Sequence, residues 1–155
     1  MIKIIDGDLL TAKTHIIAHQ VNCQGAFNSG VAKCIREHNY DVYKQYHEWC
    51  QKNTPEKLLG TDLFVLGKDN KVYANLFAQE KYGYDGQQYT SLESLYSCFQ
   101  ELKSFALTYD MTIALPYKIG CVRGGADWNV VYEMIQEIFN DDPEVYVELW
   151  RWDKG

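Results

Sequence analysis

Two glycine-bearing segments of this 155-residue chain have the residue types of anion-binding turns. In the first, Asn22 to Ala32, Gly25 and Gly30 surround Phe27, Asn28 and Ser29, and the segment runs through Val31 straight into a helical pattern. Glycine lets backbone N–H groups approach a phosphate closely, and a helix N-terminus adds partial positive charge. The second segment, Gly120 to Gly125, repeats this logic after a strand and before a helix, with Lys118 or Arg123 to supply charge. Two such cradles suit a diphosphate better than a single phosphate. Their spacing matches neither GxGxxG nor GxxxxGK[ST], which removes support for dinucleotide-fold and P-loop readings. His19, three residues before Asn22, titrates near neutrality and has the chemistry of a general acid or base; a buried histidine bonded to backbone explains it equally well. Asp8, in Asp6-Gly7-Asp8, reads on turn chemistry as a turn residue.

The elements that must position these residues follow from hydrophobic periodicity. Ile2 to Ile5 and Ile16 to Val21 read as strands, the latter apolar enough for burial on both faces. Val31, Cys34 and Ile35 carry one helix, and Tyr43, Tyr46 and Trp49 a second that starts after Asn39 and Tyr40. DLFVLGKDNKVYANLFA reads as a hairpin turning at Gly67 to Asn70. Thr90 and Glu93 make a capping box for a long helix bearing Leu92, Leu95, Tyr96, Phe99 and Leu102. MTIALP is a strand, Asp127 caps a helix bearing Val130, Val131, Met134, Ile135 and Ile138, and Val145 to Trp150 is a last strand. Alternating strands and helices predict a single α/β domain over 1–155, with a mixed, mostly parallel sheet. Both glycine segments follow strands, so they share one cleft at the carboxyl ends of the sheet.

Composition narrows the ligand. A formal charge of −6 argues against a general polyanion binder, because affinity for a phosphate backbone comes from clustered Lys and Arg. Nucleic acid is therefore an unfavoured partner, while a small phosphorylated ligand is compatible with any net charge. Five cysteines, an odd number without metal-ligand spacing, read as reduced thiols. No apolar run approaches the roughly 20 residues of a membrane span, and the N-terminus lacks a secretory pattern. The expectation is a cytoplasmic protein without a membrane association, a metal or another cofactor.

Taken together, GDLL at Gly7 to Leu10, AHQVNCQG at Ala18 to Gly25, GVA at Gly30 to Ala32, NLF at Asn75 to Phe77 and LPYKIGCVRGG at Leu115 to Gly125 resemble the macro domain family. The likeness spans nearly the whole chain in order. It is strongest to the branch that includes the yeast ADP-ribose 1''-phosphate phosphatase and the human terminal ADP-ribose protein glycohydrolase. The resemblance implies a three-layer α/β/α fold around about six strands, with ADP-ribose or a derivative as ligand and ADP-ribosylated protein as a further partner. Carried over by position, it places Asp8 and the Leu9 backbone at the adenine, with Trp150 or Trp152 stacking on the ring. It places Asn22 and Asn28 at the distal ribose. Ser29, Gly30, Val31 and Ala32, together with Ile119, Gly120, Cys121, Val122, Arg123 and Gly124, fall at the phosphates. His19 matches a histidine of the phosphatase-like members and becomes the expected catalytic residue.

Two positions depart from the glycohydrolase pattern. Gln79 stands where those enzymes carry a nucleophilic lysine, and Gly124 where they carry an aspartate. An amide cannot form the Schiff base that an amine can. Three functions follow from different classes: a hydrolase of ADP-ribose derivatives, with ADP-ribose 1''-phosphate preferred; a non-catalytic ADP-ribose reader; and a scaffold or RNA-associated module, which the acidic balance disfavours.

Overall fold

The computed structural model describes residues 1–28 and 30–152. Six strands form one sheet: β1 (Ile2–Asp6), β2 (Ile16–Asn22), β3 (Asp62–Leu66), β4 (Val72–Gln79), β5 (Ile113–Pro116) and β6 (Val147–Arg151). Their spatial order is β1-β6-β5-β2-β4-β3. Every neighbouring pair is parallel except β3 with β4, the expected hairpin. Five helices cover the sheet: α1 (Gly30–His38), α2 (Tyr40–Lys52), the short α3 (Pro55–Leu58), α4 (Leu92–Tyr109) and α5 (Trp128–Phe139).

The two faces of the sheet are sealed by separate cores, which makes the three layers. On one face, Leu95, Cys98, Phe99 and Leu102 of α4 and Val131, Ile135, Ile138 and Phe139 of α5 pack on Ile16, Ala18, Leu76, Leu115 and Leu149. These helix positions recur every three or four residues, so each helix turns one apolar stripe inward. On the other face, Ile35, Val42, Tyr46 and Leu58 cover Ile17, Val21, Val65 and Phe77. β2 and β4 lie at the centre and are buried on both sides, as their near-continuous apolar sequence requires.

Several boundaries differ from expectation for identifiable reasons. The α4 cap is Ser91, whose hydroxyl accepts from the Ser94 amide, while Thr90 makes an isolated bridge to Gln79. Asp127 caps α5 as expected, accepting from the Asn129 amide. The last strand begins at Val147, two residues late, because Val145 closes a turn with Asp142. α3 carries no hydrophobic periodicity; its signal is Pro55 at the first turn after Thr54, whose carbonyl accepts the first helical bonds. Among the described residues, no helix is long and apolar enough to cross a membrane, and no group of three or more His, Cys, Asp or Glu is arranged to hold a metal ion.

Candidate functional site

Because five strands run parallel, the carboxyl ends of β1, β6, β5, β2 and β4 emerge at one edge of the sheet. The register aligns them, Asp6 with Arg151, Pro116 with Trp150 and Asn22 with Gln79. That edge is where open α/β sheets take their ligands. β2 and β5 are direct neighbours, paired at Ile16 with Ile113 and Ile17 with Ala114, so the two glycine loops leave the sheet from adjacent strands.

The first loop is organised by Asn22. Its Oδ1 accepts from the amides of Gln24, at 2.9 Å, and Ala26, at 3.4 Å, and from the Tyr46 hydroxyl, at 2.9 Å; its Nδ2 donates to the Ala26 carbonyl at 2.9 Å. Asn22 is therefore turned into the loop, whose turn it positions. Phe27 anchors the loop below by stacking on Tyr46 at 4.3 Å between centroids. His47 Nδ1 lies 2.9 Å from the Gly25 carbonyl on the other side. Asn28 and Gly30 stay exposed, and Asn28 borders an open hollow with Lys33, Arg36 and Tyr40. Gly30 has φ +61° with open space around it, so the left-handed backbone is what calls for glycine there. Val31 and Ala32, half-buried, form the first turn of α1, where amides lack helical acceptors. Ser29 lies outside the described residues.

The second loop is fastened to the segment between β4 and α4. Thr90 Oγ1 donates to the Gly120 carbonyl at 2.8 Å, and the amides of Tyr89 and Thr90 donate to the Gly124 carbonyl at 2.8 and 3.0 Å. A Cβ on Gly124 would overlap the Thr90 hydroxyl, and one on Gly125 would fall 2.6 Å from the Gln87 carbonyl. These glycines thus serve the close approach of two loops. The amides of Ile119 and Cys121 donate within the turn, to Pro116 and Lys118, so neither is available for the phosphate contact expected of it. Among the described residues, the amides of Gly120, Val122, Arg123 and Gly124 meet no backbone acceptor. Val122 is exposed, and the Arg123 guanidinium lies over the Tyr84 ring, 4.7 Å from its centroid.

At the β1 end, Asp8 Oδ1 accepts from the Leu10 amide at 3.0 Å and caps the 3-10 turn Leu9–Thr11, so the turn role is realised and the other carboxylate oxygen is left over. Leu9 is buried beneath it. Trp150 is half-buried, its Nε1 donates to Glu148, and its ring edge covers Gly7 so closely that a Cβ there would be 3.1 Å away. Trp150 is accordingly a packing residue of this turn. Trp152, 52% exposed just beyond β6, is the tryptophan placed at the rim.

His19 is in the core. It is 1% exposed, its Nε2 is 2.7 Å from Asn75 Oδ1, and its ring packs edge-on against Phe27. Nε2 donates to the carbonyl-type oxygen, which leaves Nδ1 as the neutral ring's acceptor, buried and without a partner among the described residues. Burial lowers its pKa to about 4, partly opposed by the Asn75 bond. The ring is thus enclosed between Asn75 and Phe27, and a catalytic role for His19 would have to act from within the core. Alternation along β2 points it away from Gln20, the residue that does face the second loop.

Gln20 went unread in the sequence, although a polar residue in an otherwise apolar central strand was the available signal. Its Nε2 donates to Gln79 Oε1 at 2.8 Å and to Thr90 Oγ1 at 2.7 Å. Gln79 Nε2 donates in turn to the Lys81 carbonyl at 2.8 Å. Gln79 and Gly124, where the resemblance locates a lysine and an aspartate in glycohydrolases, therefore flank one polar network, and neither brings an ionisable group to it.

No family model matches the sequence. The chain is 28% identical over 160 aligned positions, 94% of its length and 98% of the relative's, to an ADP-ribose 1''-phosphate phosphatase of Lodderomyces elongisporus. Its fold superposes on the macrodomain of Mycobacterium tuberculosis DarG with a TM-score of 0.84, at 22% identity and 97% coverage of both chains. Thermosipho africanus DarTG, solved in complex with ADP-ribose, gives a TM-score of 0.79 at 15% identity, covering 99% of this chain and 42% of that one. The six-stranded sheet between two helical layers is the macrodomain fold, which the chain shares with these structures.

Proposed function

We propose that the chain binds ADP-ribose along the carboxyl edge of its sheet and hydrolyses an ADP-ribose derivative, ADP-ribose 1''-phosphate first among them. The observation that carries this reading is the sequence of strand ends. From β1 to β4 there are four spacings of about 4.8 Å, or about 19 Å, a length suited to an extended dinucleotide-like ligand. Asp8 and Trp152 stand at one end for the adenine, the two glycine loops in the middle for the diphosphate, and Gln20, Gln79, Thr90 and Arg123 at the other for the distal ribose and its substituent. The phosphatase named above, similar along its whole length, supports the same substrate.

In the phosphatase reaction water adds to phosphorus, the bond from phosphorus to the ribose oxygen breaks, and that oxygen takes a proton. This chain's part is to hold the phosphoryl group by the loop amides and Arg123, where charge spreads in the transition state. ADP-ribosylated protein is a second substrate class of the same cleft. A cytoplasmic location completes the proposal, supported by five cysteines that all remain free thiols.

A reader without turnover is the alternative, and one observation favours it: the two network positions lack ionisable groups while His19 is enclosed. Phosphate release from ADP-ribose 1''-phosphate, measured beside calorimetric titration with ADP-ribose, decides between them. Release with binding supports the hydrolase; binding with no release, and none of ADP-ribose from modified protein, leaves the reader; no binding overturns both.

A further inference from the structure

Arg123 and Tyr84 come from different loops and meet over the β4 end of the cleft. The loop of Tyr84, between β4 and α4, folds back on the second glycine loop and is pinned there by Tyr89, Thr90 and the side-chain-free positions Gly124 and Gly125. Within it, the Tyr89 hydroxyl donates to Asp85 Oδ1 at 2.7 Å, and the ring of Tyr89 fills the space over Gly83. This bracing sets Tyr84 beneath the Arg123 guanidinium at 4.7 Å. No carboxylate lies within 4.0 Å of Arg123 among the described residues, unlike Arg151, which is paired with Asp6 at 2.7 Å. A guanidinium oriented by stacking keeps its fork of N–H donors free for an anion. Beside it lie the acceptor-free amides of Val122 and Gly124.

We infer that Arg123, held in place by Tyr84, is the specificity determinant for an anionic group on the distal ribose, so that the cleft distinguishes ADP-ribose 1''-phosphate from ADP-ribose itself. The inference rests on the ligand orientation proposed above. The ligand orientation assigns the diphosphate to the paired glycine loops after β2 and β5, and the clasp, which the Tyr84 loop holds from the β4 side, to the substituent of the distal ribose. Arg123 binds the terminal phosphate by a forked, charge-assisted contact; Tyr84 is a positioning residue that acts through Arg123.

The test is calorimetry of the whole chain with ADP-ribose and with ADP-ribose 1''-phosphate, together with steady-state phosphate release. Wild type binds the phosphorylated ligand more tightly. Arg123→Ala weakens that ligand, and raises its KM, by about 10- to 100-fold while the Kd for ADP-ribose stays within about twofold. Tyr84→Ala raises the same KM by roughly three- to tenfold, and Tyr84→Phe, which keeps the ring face, restores it. Equal losses for both ligands in Arg123→Ala place Arg123 at the diphosphate and overturn the inference, as does an unchanged preference. Absence of turnover in wild type sinks the hydrolase reading alone, since the binding preference still reports on Arg123. Binding of neither ligand overturns both.

Discussion

Gly124 and Thr90 meet with no room for a side chain between them: the Thr90 amide donates to the Gly124 carbonyl at 3.0 Å, and a Cβ on Gly124 would sit inside the Thr90 hydroxyl. The φ of Gly124 is not in the left-handed region, so space alone excludes other residues. Gly124→Asp, which supplies the carboxylate of the related glycohydrolases, is expected to lower stability by about 1–3 kcal/mol through overpacking. It is also expected to yield no new release of ADP-ribose from modified protein. Thr90→Ala added to it recovers part of the stability. A melting temperature equal to that of wild type for the single variant would show that the loops part without cost.

His19 links the core to acid sensitivity. Its native pKa of about 4 lies below the ordinary 6.5, so the sign is that of a depressed group. Stability is complete above pH 6.5 and declines as pH falls toward 4, because the unfolded chain takes up the proton first. Full passage through that window costs roughly 3 kcal/mol, the equivalent of a shift between these two values. His19→Gln keeps a donor for Asn75 and cannot titrate. Urea denaturation between pH 4 and 7.5 is expected to show a flatter profile for the variant, with kcat at pH 7.5 within about twofold of wild type. Loss of turnover in a folded His19→Gln protein would return this histidine to the mechanism.

Asp62, where β3 meets α4, behaves in the opposite sense. Burial first, and then the nearby Glu101, raises its pKa to about 9, opposed by a hydrogen bond with the Cys98 thiol, and both carboxyl oxygens are buried. The native protein keeps the proton while the unfolded chain loses it near pH 4, so this group makes stability fall as pH rises from about 4 to 9. Asp62→Asn, a neutral copy of the protonated form, is expected to stabilise the protein by about 1–3 kcal/mol at pH 8 and to make little difference at pH 4. Equal melting temperatures at pH 8 would contradict the buried, protonated state.

Asn22 tests the first loop. Removing its four side-chain contacts in Asn22→Ala leaves the Gln24 and Ala26 amides short of their acceptor, while the Tyr46 hydroxyl keeps the Asn22 backbone carbonyl at 2.6 Å, at a cost of about 1–3 kcal/mol. ADP-ribose affinity is expected to fall at least tenfold, and limited proteolysis to cut between Cys23 and Asn28. Asn22→Asp keeps the acceptor that three donors share and is expected to lie between the two. Unchanged protease resistance in Asn22→Ala would mean that Phe27 holds the loop by itself.

Much of the architecture was legible in the sequence because it rests on periodicity and on turn chemistry. The alternation of β2 and α4, the hairpin around Gly67 to Asn70 and the Asp127 cap are local signals, and each element is present. The roles within the cleft were less legible, because they depend on which way a side chain points once strands are paired. His19 and Gln20 are adjacent in sequence and project to opposite faces of the sheet, and only one of them reaches the second loop. Asn22 has the residue type of a sugar contact, yet Tyr46, a helix away, claims its oxygen. The Tyr84 loop had no periodicity to read; its order comes from the glycines of another loop.

The middle of the cleft is built mainly from main-chain amides set by glycine backbone and by the fixed spacing of parallel strands. Recognition of that kind is nearly blind to the identity of the surrounding side chains. Substitutions can then accumulate on all sides of the cleft while its shape persists, which fits a chain that superposes on the DarG macrodomain with only 22% of residues in common. Chemistry, by contrast, is free to change one side chain at a time at the β4 end. Such a fold separates what it holds from what it does, and a lineage can exchange a lysine for a glutamine there without rebuilding the grip.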